Sequence, residues 1–210
     1  MKNFERNLLI SLLRVLRVLL LVLAAACAGS AGRPVFDGQT LTGWEGDREY
    51  FRVEDGVIIG GTDAAPIPRN EFLCTEAEYG DFELELQFAL DEGVNSGVQI
   101  RSQRIDGSHE TIGYQADLGE GYWGAIYDES RRNRVLIAPP EGLIEQILDR
   151  DGWNRYRILA EGPRIQLFIN GRQTVDYTEA EPDIPQRGRI CLQIHSGPPG
   201  EARFFDVRLK

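Results

Sequence analysis

From Asp81 to Leu90 the chain alternates without interruption. Phe82, Leu84, Leu86, Phe88 and Leu90 are apolar, whereas Glu83, Glu85 and Gln87 are polar. A period of two marks a strand with one face on a core and the other in water. Arg164 to Asn170 repeats the pattern with Ile165, Leu167 and Ile169, and Asn170-Gly171 predicts a tight hairpin into a returning strand over 173–178. Further strands are expected at 50–53, 56–60, 72–75, 96–103, 113–118, 124–128, 154–161, 188–195 and 202–209. Asp55-Gly56, Glu92-Gly93, Asp106-Gly107 and Asp151-Gly152 punctuate them. The one helix-like stretch is short, Glu141 to Leu148, after Pro139-Pro140. The chain has 23 Gly and 10 Pro, and with no internal repeat and no linker residues 35–210 read as a single all-β domain, an antiparallel β-sandwich.

The N-terminal segment follows a different rule. Val18 to Ala26 is an apolar run too short to span a bilayer, and it follows Lys2, Arg6, Arg14 and Arg17. Small residues Ala24-Ala25-Ala26 then stand directly before Cys27. Residues 1–26 therefore read as a secretory signal peptide. The cysteine in that place resembles a bacterial lipoprotein signal, with Cys27 as the lipidated residue, although Leu23 lies four positions before it rather than three. Residues 27–34 form a flexible tether. The expected destination is the periplasm or cell envelope, with a lipid anchor in the inner or outer membrane.

Charge narrows the partners. The first 26 residues hold four basic side chains and one acidic, so of the formal −10 the remaining 184 residues carry −13. Such a domain repels phosphate backbones, which argues against nucleic-acid binding. In an oxidising compartment Cys74 and Cys191 could bond, yet sequence shows no proximity, and two buried thiols acting as small apolar residues is the preferred reading.

Three strands carry an unusual polar face. Val98 and Ile100 oppose Gln99, Arg101 and Gln103; Tyr114, Ala116 and Leu118 oppose Gln115 and Asp117; Ile190, Leu192 and Ile194 oppose Cys191, Gln193 and His195. A merely solvated face is more often Lys, Glu and Thr. Planar amides, guanidinium groups and nearby Trp123 and Tyr127 instead suit a hydroxyl-rich ligand, since amides bond vicinal hydroxyls in pairs and rings stack on sugars. A polar face under a loop, its side chains bonding one another, is the alternative.

The opening Phe36-Asp37-Gly38-Gln39-Thr40-Leu41-Thr42-Gly43-Trp44 resembles that of the 3-keto-disaccharide hydrolase family. Further matches follow in order: Tyr79-Gly80-Asp81-Phe82-Glu83-Leu84, Asn95-Ser96-Gly97-Val98 with Arg101, Gly113-Tyr114-Gln115-Ala116-Asp117 and Gly124-Ala125-Ile126-Tyr127-Asp128. Trp153-Asn154 with Tyr156, Phe168-Ile169-Asn170-Gly171 and Leu192-Gln193-Ile194-His195-Ser196-Gly197 complete the set. The resemblance implies a concanavalin-like jelly roll, export, and glucosides already oxidised to a ketone at sugar position 3 as substrates. Val94 stands where many members carry Gly, a departure that bears on substrate choice.

A ketone at C3 acidifies the C2 proton. Its removal allows the glycosidic oxygen to leave C1 by elimination, after which water adds. That chemistry needs a base near neutrality, a positive or donor group on the enolate oxygen, and an acid for the leaving group. His195 is the candidate base, Asp117 the acid or base, and Arg101 the enolate stabiliser or a partner of Asp117. Gln115, Gln193, Trp123, Tyr127 and Asn95 are candidate substrate contacts, as are Glu129 and Arg131 at the rim of a charge run, Asp128 to Arg134, otherwise read as solvated. A divalent metal on Asp117 and His195 is conceivable, but no spacing supplies a third ligand, so no metal residues are assigned. The Glu-x-Asp-x-x-Glu pattern of jelly-roll β-glucanases is nearest at Gln115-Ala116-Asp117-Leu118-Gly119-Glu120, where Gln replaces the nucleophile. The rival function is a non-catalytic carbohydrate-binding module, and a weaker third is an adhesion or scaffold domain.

Overall fold

The computed structural model describes residues 32–210. The expectations for residues 1–31, which include the signal segment and Cys27, lie outside them. Among the described residues fifteen strands and one helical turn follow in chain order. The strands are β1 (Arg33–Pro34), β2 (Trp44–Glu45), β3 (Phe51–Glu54), β4 (Val57–Thr62), β5 (Glu71–Thr75), β6 (Phe82–Leu90), β7 (Ser96–Arg104), β8 (Thr111–Leu118), β9 (Ile126–Glu129) and β10 (Arg134–Ile137). After the turn α1 (Ile144–Ile147) come β11 (Asn154–Glu161), β12 (Arg164–Ile169), β13 (Arg172–Thr178), β14 (Arg189–Ile194) and β15 (Gly200–Leu209).

All named pairings are antiparallel, and they build two sheets. Sheet I runs β13-β12-β11-β6-β15-β4-β3, with β1 on the far end of β15; sheet II runs β10-β9-β8-β7-β14-β5-β2. The alternation of β6 sends Phe82, Leu84, Leu86 and Phe88 to the interior beside Tyr156, Ile158 and Ala160 of β11 and Ile165, Leu167 and Ile169 of β12. Sheet II meets them with Val98, Ile100, Tyr114, Ala116, Leu118, Ile190, Leu192 and Ile194. The expected antiparallel sandwich is therefore present. On the water side of sheet I the polar positions interlock: Arg157 and Lys210 hold Glu83, and Arg155 and Lys210 hold Glu85.

Two expectations are corrected. Cys74 and Cys191 are not separate thiols: they stand directly opposite one another on β5 and β14 and are disulfide-bonded. The charge run Asp128 to Arg134 is not a solvated loop but the turn of the β9–β10 hairpin. Asp128 is fully buried there between Arg131 (2.6 Å) and Arg132 (3.1 Å), and Arg132 continues to Glu179 at 2.9 Å. The two guanidinium groups offset the cost of desolvation, since a carboxylate is tolerated inside only when paired.

Candidate active face

The register of sheet II draws side chains from six strands into one row on its outer face. Tyr127, Gln115, Gln99, Cys191, Cys74 and Glu45 are successive cross-strand partners. A second row, Asp117, Gly97, Gln193 and Phe72, runs beside it. Gln99, Gln115, Gln193 and Asp117 are at most 3% exposed and form the floor. The glutamines bond one another, Gln99 Nε2 to Gln115 Oε1 at 3.0 Å and Gln115 Nε2 to Gln193 Oε1 at 3.2 Å. Gly97 makes this possible, because a Cβ there would stand 2.5 Å from Gln115 Cγ. At the far edge Arg104 and Arg189 clamp Glu45, whose carboxyl is held below the usual range by those guanidinium groups against the pull of burial.

His195 follows β14, and its backbone N–H donates to the Asn95 carbonyl at 3.1 Å. Its Nδ1 lies 2.7 Å from the Ser196 carbonyl. A carbonyl can only accept, so Nδ1 carries the proton and Nε2 holds a free lone pair. Among the described residues Nε2 has no partner. Two carboxyls flank Gln115 along the face. Burial pushes Asp117 up to about 7, with the charge of Glu129 adding to it and bonds from the Leu118 N–H and Gln115 opposing. Burial, then the Glu110 charge, pushes Glu129 up to about 7 as well. Groups titrating there serve as acids or bases at neutral pH.

The expected site residues divide. Asp117, Gln115, Gln193, Tyr127 and Glu129 share the face, Asn95 stands at its end against Gly119, and His195 follows directly on β14 with its N–H on the Asn95 carbonyl. Arg101 does not join them. A bulge between Ile100 and Gln103 resets the alternation, and Arg101, at φ 50°, turns its guanidinium to the Gly80 and Gly162 carbonyls and to Asp81 (3.0 Å). It ties β7 to the start of β6 and the β11–β12 turn of sheet I and is no partner of Asp117. Arg131 lies over the Tyr114 ring at 4.6 Å, on the inner side of sheet II, away from Glu129. Trp123 also parts from Tyr127. It stacks on Phe88 at 6.2 Å and lines a cleft of about 910 Å³ at the end of the sandwich, which also includes Asn95, Glu120, Arg150 and Asn154. Tyr122, 41% exposed and set edge-on to Tyr127 at 6.5 Å, takes the place on the rim that was assigned to Trp123. Its adjacency to Trp123 was the only sequence signal for it. Among the described residues no three His, Cys, Asp or Glu side chains gather to hold a metal.

Solved structures with the same fold include a candidate glycosyl hydrolase from Parabacteroides distasonis ATCC 8503 (TM-score 0.64, 19% identity, 84% of this chain and 91% of that one). A carbohydrate-binding module, CBM66 of Bacillus subtilis, aligns at TM-score 0.61 and 14% identity over 80% of this chain and 95% of its own. The β-glucanase of Bacillus licheniformis aligns at TM-score 0.55 and 13% identity over 87% and 98%. At these identities the likeness is one of fold. No curated protein matches the sequence. The family profile of the 3-keto-alpha-glucoside-1,2-lyase-like domain matches residues 32–210, essentially the whole described sandwich. With fold, ordered motifs and profile in agreement, the chain belongs to the 3-keto-disaccharide hydrolase family, a group of carbohydrate-active jelly rolls.

Proposed function

We propose that the protein is an enzyme that cleaves 3-keto-glucosides by elimination followed by hydration. The observation that carries this reading is the free Nε2 of His195, set at the Asn95 end of the face that carries Asp117, a carboxyl raised to about 7. His195 Nε2 takes the C2 proton, and the electron pair delocalises into the C3 carbonyl as an enolate. The C1–O bond then breaks as that pair returns to form the C1–C2 double bond, and the departing oxygen takes a proton from Asp117. Water adding across the double bond completes the net hydrolysis. Tyr127 and Tyr122 offer ring faces to the sugar, and the end cleft beside Asn95 and Trp123 has room for the leaving group.

Arg101 has no part in this scheme. A retaining β-glucanase mechanism is also poorly served, because Gln115 occupies the floor and Glu120 sits at the exposed loop in a 2.6 Å ion pair with Arg150. Export with an anchor at Cys27 belongs to the same reading, supported by the Cys74–Cys191 bond, which persists in oxidising compartments.

The test is release of chromophore from a chromogenic 3-keto-glucoside by the purified protein, with and without chelator. His195→Ala is expected to lower kcat by at least about a hundredfold with the fold intact. Unchanged turnover in folded His195→Ala removes His195 as the base. No turnover by the wild type, together with measurable glycan binding, gives the function to the carbohydrate-binding module instead.

A further inference from the structure

The glutamines of the floor form a line of hydrogen bonds with one direction. Ser102 Oγ is 2.8 Å from Gln99 Oε1 and 3.1 Å from the Ile100 carbonyl, the amide being the nearer acceptor; Gln99 Nε2 donates to Gln115 Oε1, and Gln115 Nε2 donates to Gln193 Oε1. Each amide receives at oxygen and gives from nitrogen, so each bond polarises the next. The line ends at Gln193 Nε2, which is fully buried and has no acceptor. A buried amide with unused donors is costly unless a ligand completes it.

The line is held in place from both ends. At one, Gly97 leaves the room that the Gln115 side chain fills, since a Cβ there would stand 2.5 Å from Gln115 Cγ. At the other end Gly113 leaves the space that Ser102 fills, since a Cβ there would lie 2.1 Å from Ser102 Oγ.

Building on the function proposed above, we infer that Gln193 Nε2 receives the ketone oxygen of the oxidised sugar, and that Ser102, two amides away, is the positioning residue that fixes its polarity. A hydroxyl donates and accepts, so either end of an amide serves it. A ketone oxygen accepts only, and the enolate oxygen that follows it accepts more strongly. A donor polarised from behind discriminates in favour of both. His195 lies two residues beyond Gln193, just past the end of β14, so their Cα atoms stand at most about 7 Å apart. One side chain can therefore hold the C3 oxygen of a ring while the other reaches its C2 proton.

The experiment measures affinity for a carbon-linked 3-keto-glucoside, which cannot lose its aglycone, and for the same compound with a 3-hydroxyl. Gln193→Glu replaces the donor by an acceptor. It is expected to weaken ketone binding about ten- to a hundredfold while leaving the hydroxyl compound within about threefold. Gln193→Met removes the donor without adding charge, and the same selective loss is expected. Ser102→Ala is expected to lower the ketone-to-hydroxyl preference a few-fold without abolishing binding. In the wild type, the Gln193 side-chain amide protons should move downfield with the ketone and less with the hydroxyl, a readout that needs no variant. An unchanged preference in folded Gln193 variants, or an amide signal indifferent to the ketone, overturns the inference and leaves the proposed enzyme standing. A wild type that binds neither compound takes down the proposed function, and this inference falls with it.

Discussion

Asp117 sits where burial and function pull in opposite directions. Its folded carboxyl is raised from an ordinary 3.8 to about 7. The folded state therefore binds more protons than the unfolded chain between those values, and stability declines as pH rises through that window. Asp117→Asn keeps an oxygen for the Leu118 N–H and removes the charge. It should raise the melting temperature at pH 8 and flatten the loss seen in the wild type between pH 5 and 8, while cutting turnover through loss of the acid. Glu83 and Glu179 work in the opposite sense. Arg157 lowers Glu83 to about 2, and Arg132 with the Tyr114 hydroxyl lowers Glu179 to about 2 against desolvation. Their contribution is present above about 4.5 and is lost as pH falls toward 2. Melting curves across pH should thus peak near pH 5. A wild-type curve rising steadily to pH 8 would remove Asp117 as a neutral-pH acid.

The turn of the β9–β10 hairpin shows how charged side chains can hold the site from behind. Its turn charges run inward: Arg132 joins buried Asp128 to Glu179, and Glu179 also receives the Tyr114 hydroxyl at 2.7 Å and the Tyr177 hydroxyl at 3.0 Å. This strut fixes the inner side of β8 and β9, whose outer side carries Gln115, Asp117, Tyr127 and Glu129. Arg132→Met should cost about 3 kcal/mol, because it leaves buried acids short of a partner. In a chemical denaturation series the midpoint should fall, while KM in the folded protein changes little. A large KM change with unchanged stability would instead place Arg132 at the ligand. The hairpin also marks the limit of what was legible beforehand. Strands such as β6 and β12 announce themselves because one face is wet and one dry, so period two survives in the residue types. The run Asp128 to Arg134 looks like solvent-exposed charge because pairing, not polarity, decides its burial. Arg101 was misassigned for a related reason: the bulge after Ile100 changes the period inside a strand, and nothing in Arg101-Ser102-Gln103 signals the shift. Gln115, Asp117 and Gln193 were readable as one face because no bulge falls between them and their apolar neighbours. Trp123 was not, since a turn separates it from Tyr127 and sends the two rings to different surfaces.

At the scale of the whole molecule, the Cys74–Cys191 bond joins neighbouring strands of sheet II across a sequence separation of 117 residues. Every strand from β6 to β13 lies inside that loop, including four adjacent strands of sheet I, so the cross-link constrains most of both layers in the unfolded chain. Such a pairing depends on the register of distant strands, which explains why cysteine spacing alone did not disclose it. Closing a loop of this length removes unfolded-state entropy worth about 4–5 kcal/mol in the chain model, with about 2–5 kcal/mol the usual loss on removal. The double variant Cys74→Ala, Cys191→Ala should therefore unfold at a distinctly lower urea concentration, and reductant should do the same to the wild type but nothing further to the variant. The two sulfurs sit in the row that continues from Gln99, so the variant also asks whether the floor tolerates the loss. Ligand affinity measured well below the new midpoint is expected to stay close to wild type, because the glutamine line runs from Ser102 to Gln193 without either cysteine. Equal stability with and without reductant would mean that the bond adds nothing to the fold, and the argument for an oxidising destination would lose its structural support. A marked loss would instead tie full stability to an oxidising environment, since a sandwich that leans on this bond reaches it only where thiols are oxidised.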